Sequence, residues 1–318
     1  MDYTSEAKES SGGLRLVFGD VVFGVHGEDF HCLFSYQTGG LESLVSGGRE
    51  WLYRTPKPTF WRAATDNDKG NGFPFRSSMW LGADLYMETT DIRISVDQKR
   101  IKRFRAPDNN RFAGSRNAKE ASVTYTYRTA TKPHTKVDVC YTVEETGRVG
   151  VEVFYHGKKG LPQLPVFGMR FIFPDKAAGY EYQGLSGETY PDRMAGGVKG
   201  TWQVEGLPVT PYLVPQDCGV HMDTDRLTVR RTGTDGEPHS ITFEKTEEPF
   251  AFSCLPYTAE ELENATHQEE LPPERRTVVC ILGAVRGVGG IDSWGRKVED
   301  YCQIDSSKDR KYSFTIQI

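Results

Sequence analysis

Short runs of alternating or continuous apolar residues recur from one end of the chain to the other. LRLVFGDVVFGV (14–25), ASVTYTYRT (121–129), RVGVEVFYH (148–156), VFGMRFIF (166–173), TVVCILGAV (277–285) and YSFTIQI (312–318) are examples. They are rich in Val, Ile, Thr, Tyr and Phe, and turn residues bound them, which is the pattern of half-buried strands. TVEETGRVGVEV (142–153) predicts a hairpin turning near Glu145-Thr146-Gly147. Helical periodicity is scarce. Its best instance is TAEELENATHQEEL (258–271), where Thr258 can cap and Glu261 stands three residues on, before Pro272-Pro273 stops the helix. No strand–helix–strand rhythm, repeat or heptad emerges. The expectation is an all-β protein with very little helix, built as one large antiparallel β-sandwich over residues 14–318 behind a flexible tail, residues 1–13.

Composition narrows the class. The chain has 318 residues, 37% hydrophobic and 26% charged, a mean hydropathy of −0.54 and a formal net charge of −5. These values describe a soluble globular protein and give no footing for a nucleic-acid or membrane partner. The start, MDYTSEAKESSGG, has no apolar run to serve as a signal. The six cysteines are scattered without a CxxC pair. They read as reduced core cysteines of a cytoplasmic protein.

Three clusters could carry chemistry. FWRAATDNDKGNGF (60–73) sets Asp66, Asn67 and Asp68 before Gly70, Asn71 and Gly72. As a calcium loop it fails in both registers: from Asp66, position five is Gly70, and from Asn67, position three is Lys69. The plainer reading is a turn held by Asx side chains, with a glycine-hinged tip beside rigid aromatics. YEYQGLSGETYPDRMAGGVKGTW (180–202) brings Glu188, Asp192 and Arg193, either as a sugar-site wall or as a structural ion pair, Asp192–Arg193, locking a loop. GAVRGVGGIDSWG (283–295) sets Asp292, Ser293 and Trp294 after a Gly-Gly turn, so that Trp294 is either a core plug or a stacking platform for a sugar. No nucleophile motif, HExxH or P-loop is present, and the seven histidines are dispersed.

In this order, FWRAATDNDKG, LSGETYPDR and GVGGIDSW resemble the C-terminal domain of the family-two β-galactosidases of the glycoside hydrolases. Its phrases are FxRAxxDND-x-G, GLGPxENYPDR and GGDDSW. The longer phrases WLYRTPKPTFWRA and LPYTAEELENATH resemble the small subunit of the two-chain members, in which a large chain carries the other domains. The resemblance implies a supersandwich fold of the galactose-mutarotase kind. It also implies a small, non-catalytic but required subunit that completes a site for hydrolysing terminal β-D-galactosyl bonds, as in lactose. By the same resemblance the catalytic glutamates, magnesium and a monovalent cation belong to the large-subunit partner, leaving no catalytic residue and no metal here. Trp294 would line the substrate pocket. A mobile active-site loop would begin at Gly70, with Asn71 and Gly72, and run to about Trp80. Arg62, Asp66, Asn67, Asp68, Glu188, Asp192, Arg193 and Asp292 would be supporting motif residues. The departures are Ala64 in place of a proline, Ile291 in the last phrase, and a poor match beyond Gly70. Two other readings remain: an aldose mutarotase-like epimerase, which needs His156, His221 or His267 in a pocket, and a stand-alone carbohydrate-binding module.

Overall fold

The computed structural model describes residues 13–232, 236–292 and 295–318. All of the expected tail but Gly13 lies outside the described residues, and so do Ser293 and Trp294. Strand accounts for 47% of the chain and helix for 8%. The strands form sheets of ten, six and five, and neighbours within each pair antiparallel.

Alternation explains the layering. In Lys136–Glu144, Val137, Val139, Tyr141 and Val143 are buried and the residues between them are not. Register carries this face across the ten-stranded sheet, from Tyr125↔Val139 and Tyr141↔Val151 to Val151↔Phe314. Both smaller sheets pack on it. Phe34 of the six-stranded sheet meets Tyr141 at 5.8 Å between ring centroids, and the Tyr125 hydroxyl donates to the carbonyls of Ser35 and Gly40 at 3.1 and 3.2 Å. Phe171 of the five-stranded sheet meets Phe243 at 5.2 Å and Phe314 at 6.1 Å. The result is the expected sandwich, one long sheet against two short ones. One apolar cluster runs through it from Leu14 to Ile316. The last strand, Arg310–Gln317, lies inside the long sheet between Val149–Tyr155 and Pro238–Lys245.

The hairpin forms as expected, with Gly147 at φ +86° between Lys136–Glu144 and Val149–Tyr155. The helix at 258 starts as expected too. Thr258 Oγ1 accepts from Glu261 N at 3.2 Å, and a Glu261 carboxylate oxygen accepts from Thr258 N at 2.7 Å. It ends early, at Asn264, because Ala265 turns to extended backbone and Glu270 binds Thr266 N at 2.7 Å instead. One surface feature is hidden by the modest net charge. Lys99, Arg100, Lys102, Arg103 and Arg105 are all exposed along one short ribbon.

Candidate functional site

Topology brings the first and third clusters together. Arg54–Thr59 and Thr277–Val285 both pair antiparallel with Val166–Phe173, one on each side. Their C-terminal ends therefore leave the five-stranded sheet at the same end, and the chain that follows each is the cluster itself. The second cluster follows Gly179–Leu185 and is tied to the same sheet by Thr189 N donating to Val220 O at 2.7 Å.

At the centre is Asp68, 1% exposed. Its Oδ2 accepts from Arg62 Nη1 at 2.7 Å and its Oδ1 from Arg286 Nη1 at 2.8 Å. The same carboxylate closes a capping box. Thr65 N donates to it at 3.1 Å, and Thr65 Oγ1 accepts from Asp68 N at 3.2 Å. A short helix, Asp66–Gly70, thus replaces the expected Asx turn. A second, Phe73–Ser77, and a 3₁₀ turn, Ser78–Trp80, make up the segment read from sequence as the active-site loop. Trp80 is fully buried and its Nε1 donates to Pro162 O at 3.0 Å.

The other motif side chains hold the 287–290 turn by its backbone. Arg62 Nη2 donates to Gly287 O at 3.2 Å and Asn67 Nδ2 to Val288 O at 3.2 Å. Asp192 accepts from Val288 N at 3.1 Å and Gly289 N at 2.7 Å, and Arg193 donates to Gly289 O. Asp192 and Arg193 therefore do lock a loop, but not by the expected ion pair. Each charge is matched to a backbone partner of the sign it needs, which fixes position more closely than a pair of mobile side chains. Glu188 accepts from Gly219 N at 2.7 Å, and Asp66 accepts from Gln216 Nε2 at 3.2 Å. Asp292 accepts from Arg296 N at 3.1 Å across the two residues that lie outside the description. The expected substrate contact, Trp294, is one of those two.

Gly70 touches the third cluster directly. It stands at the end of its helix, outside the left-handed region, so backbone freedom is not why glycine is there. Close approach is the reason. A Cβ on Gly70 would lie 3.3 Å from Gly295 Cα, and one on Gly295, at φ +76°, would lie 2.5 Å from Gly70 C. Gly72 does need positive φ, at +71°, and Asn71 Oδ1 accepts from Phe73 N at 3.1 Å. Gly70→Ala is expected to push Gly295 by a few tenths of an ångström and leave the helix itself intact. In an assembled enzyme, kcat/KM should fall by roughly 10-fold or less with little change in Tm, since small displacements near a reacting centre act steeply on rate. Unchanged kcat and KM with a lowered Tm would make the contact structural only.

Sequence reading missed Arg286 and Asp217. Arg286 is 2% exposed and lies 3.7 Å over the Phe73 ring. Asp217 accepts from Tyr190 OH at 2.9 Å and lies 4.0 Å from Arg62 Nε, beside a cavity of about 30 Å³. Burial pushes its carboxyl up to about 7, because Arg62 is already committed to the nearer Asp68. The folded state then holds a proton that the unfolded chain releases at ordinary carboxylate pH. This favours the fold at acid pH and is lost as pH rises through about 7. Asp217→Asn removes that loss. Its Tm relative to the parent should rise between pH 5 and about pH 7 and level off above that, and parallel profiles would show that Asp217 ionises normally.

The three histidines of the epimerase reading are otherwise engaged. His221 Nδ1 is 2.8 Å from Gly187 O and its Nε2 is 3.2 Å from Tyr180 OH, and burial pulls it down to about 4. His156 pairs with Asp138 at 2.8 Å, and His267 sits on an exposed turn beside Glu270. Among the described residues, no three His, Cys, Asp or Glu side chains converge as metal ligands would.

Comparison with known proteins decides the family. The family profile described as "Beta galactosidase small chain" matches residues 26–318. The chain belongs to this family. A "Beta-galactosidase small subunit" of Latilactobacillus sakei is 59% identical over 309 residues, covering 95% of this chain and 97% of that one. A "Beta-galactosidase" of Streptococcus thermophilus is 33% identical over 306 residues, covering 96% of this chain but only 28% of that protein. This small-chain sequence therefore spans nearly all of one relative and about a quarter of the other. A putative aldose 1-epimerase of Escherichia coli K12 gives a TM-score of 0.47 at 10% identity, over 93% of this chain and 98% of that one. That likeness is too slight to bring an activity with it.

Proposed function

We propose that this chain is the non-catalytic but required small subunit of a two-chain β-galactosidase. It completes the site in which a large subunit hydrolyses terminal β-D-galactosyl bonds such as that of lactose. The observation that carries the reading is how the motif carboxylates are used. Asp68 holds two arginines, Asp192 holds two backbone amides, Asp66 holds Gln216 and Glu188 holds Gly219 N. Asp192 and the Asp68-bound Arg62 mount the 287–290 turn, and all four carboxylates are spent on contacts within the chain, which leaves acid, base and nucleophile to be supplied by the partner, as retaining hydrolysis through a galactosyl-enzyme requires. On this reading Trp294 is presented from that turn to the substrate. Magnesium and a monovalent cation sit with the large chain's carboxylates.

An apolar strip beside the mount suits the partner. Phe75, Met79, Leu81, Leu85 and Tyr86 are 87%, 40%, 48%, 57% and 74% exposed, a density of bare hydrophobics unusual for a surface that faces only water. Obligate interfaces commonly bury about 2,000 Å² or more, with an apolar core of this kind. The six cysteines are free thiols and four are buried, in keeping with a cytoplasmic setting. Nothing in the proposed role calls for a nucleic-acid or membrane partner.

The test is expression with and without a family large chain, followed by assay on a chromogenic galactoside. The small chain alone is expected to give no turnover and to self-associate through the bare strip. Activity should arise only on co-expression. Substantial turnover by the purified chain, free of host enzyme, would overturn the reading.

A further inference from the structure

The end of the five-stranded sheet away from the 287–290 turn carries a hollow of about 400 Å³. Arg54 and Val278 line it, at the starts of the strands Arg54–Thr59 and Thr277–Val285, whereas the turn follows the far end of the second strand. The length of that strand sets the two roughly 25 Å apart. We propose that this hollow binds a small phosphomonoester, its phosphoryl group held by Arg54, Arg275 and Arg276. The site needs no second chain, so the inference does not rest on the assembly proposed above.

Strand pairing places two of the arginines. Ile172 pairs with Arg54 on one side and Phe173 with Thr277 on the other, so Arg54 and Arg276 flank the end of Val166–Phe173. The backbone is tied there. Tyr53 N donates to Ile172 O at 2.8 Å, and Thr277 Oγ1 donates to Asp175 O at 2.8 Å. Both guanidinium groups gather on the Tyr53 ring, Arg276 at 3.7 Å and Arg54 at 5.6 Å from its centroid. A guanidinium stacked on a ring keeps its edge N–H groups for an anion. The Pro272-Pro273 pair stiffens the chain that leads into Arg275 and Arg276. Groups held in place beforehand lose little ordering entropy on binding.

The charges of the hollow are unevenly matched. Arg170 also lines it but is spent, on the buried Asp84 at 2.6 Å and on Glu260 at 3.2 Å. Glu261 is turned to its helix cap, where it accepts from Thr258 N at 2.7 Å. Arg54, Arg275 and Arg276 pair with no carboxylate among the described residues. Four arginines thus stand against Asp84, Glu260 and Glu261, and the net positive charge lies where the three unpaired guanidinium groups meet. Three such groups outnumber what a carboxylate can use, with two oxygens and one charge. A phosphomonoester brings three terminal oxygens and a charge of about −1.5 to −2 at pH 7. Guanidinium edges match those oxygens with paired N–H bonds. Tyr53, Leu85 and the two prolines form an apolar wall for the rest of the ligand, and the volume is within the range of small-ligand sites.

Ligand-observed NMR on the full chain, with glucose 6-phosphate as the probe, tests this. A Kd of about 0.1–1 mM is expected. Glucose should not bind, and inorganic phosphate and sulfate should each bind at least about fivefold more weakly, since neither has a body for the apolar wall to cover. Arg275→Gln and Arg276→Gln should each weaken binding about tenfold at unchanged Tm, by loss of charge-assisted bonds. The proposal is overturned if glucose 6-phosphate does not bind, if both variants bind as the parent does, or if glucose binds as well as its phosphate. It is overturned too if inorganic phosphate or sulfate binds as tightly, the mark of an adventitious anion patch. No arm uses the large chain, so this reading and the subunit assignment fail separately.

Discussion

Asp68→Ala is expected to be the most damaging single change in the chain. Asp68 is the shared counter-ion of two guanidinium groups, Arg62 and Arg286, which are 4% and 2% exposed. Taking away one partner of a buried pair leaves an uncompensated charge and costs about 3–5 kcal/mol, and here two charges are stranded at once. The capping box at Thr65 goes with it, about 1 kcal/mol more. A urea titration of the purified chain should show a loss of at least about 3 kcal/mol. Complementation of the large chain should vanish, because Arg62 would no longer hold Gly287 in place. A variant within about 0.5 kcal/mol of the parent, the scale of an ordinary surface substitution, would mean that the arginines find other partners and that Asp68 is not the hub.

Trp294→Ala is expected to act on substrate, not on the fold. The residues on either side are anchored: Asp292 binds Arg296 N, and Gly295 lies against Gly70. An indole has only two χ angles to fix, so it can stack on a sugar at low entropic cost. Loss of one such contact is worth about 1–3 kcal/mol, or roughly 5- to 150-fold in affinity. KM for lactose should rise by that factor in the assembled enzyme. Turnover of activated aryl galactosides, whose chemistry rests on the large chain's carboxylates in the proposed assembly, should change less. A variant that fails to fold or to assemble would assign Trp294 to the core or the interface and remove it from the site.

The sandwich was legible because alternation is a local signal, repeated in every strand such as Lys136–Glu144. The cap at Thr258 was legible because the box ends in glutamate, at Glu261. The equivalent box at Thr65 was not, because it ends in Asp68 and its helix is only five residues long before Asn71 and Gly72. Asp192 and Arg193 looked like partners because they are adjacent. In the structure both reach about a hundred residues along the chain, to Gly289. Arg286 and Asp217 had no local signal at all. Arg286 meets Asp68 across 218 residues, and only the topology of the five-stranded sheet brings them together. The resemblance marked the right phrases, but it could not say that they form one hydrogen-bonded knot.

The contact between Gly70 and Gly295 has a genetic consequence. In most packed pairs a larger residue on one side can be offset by a smaller one on the other. Here backbone meets backbone, and neither position has a side chain left to shorten. A lesion at Gly70 therefore has no intragenic suppressor at Gly295, nor the reverse. Relief has to come from residues that let the whole 287–296 segment shift, foremost Asn67 and Arg193, whose side chains stand 2.7 and 2.6 Å from where a Cβ on Gly290 would lie. A suppressor screen on this protein should return second-site changes from that shell and none from the glycine pair itself.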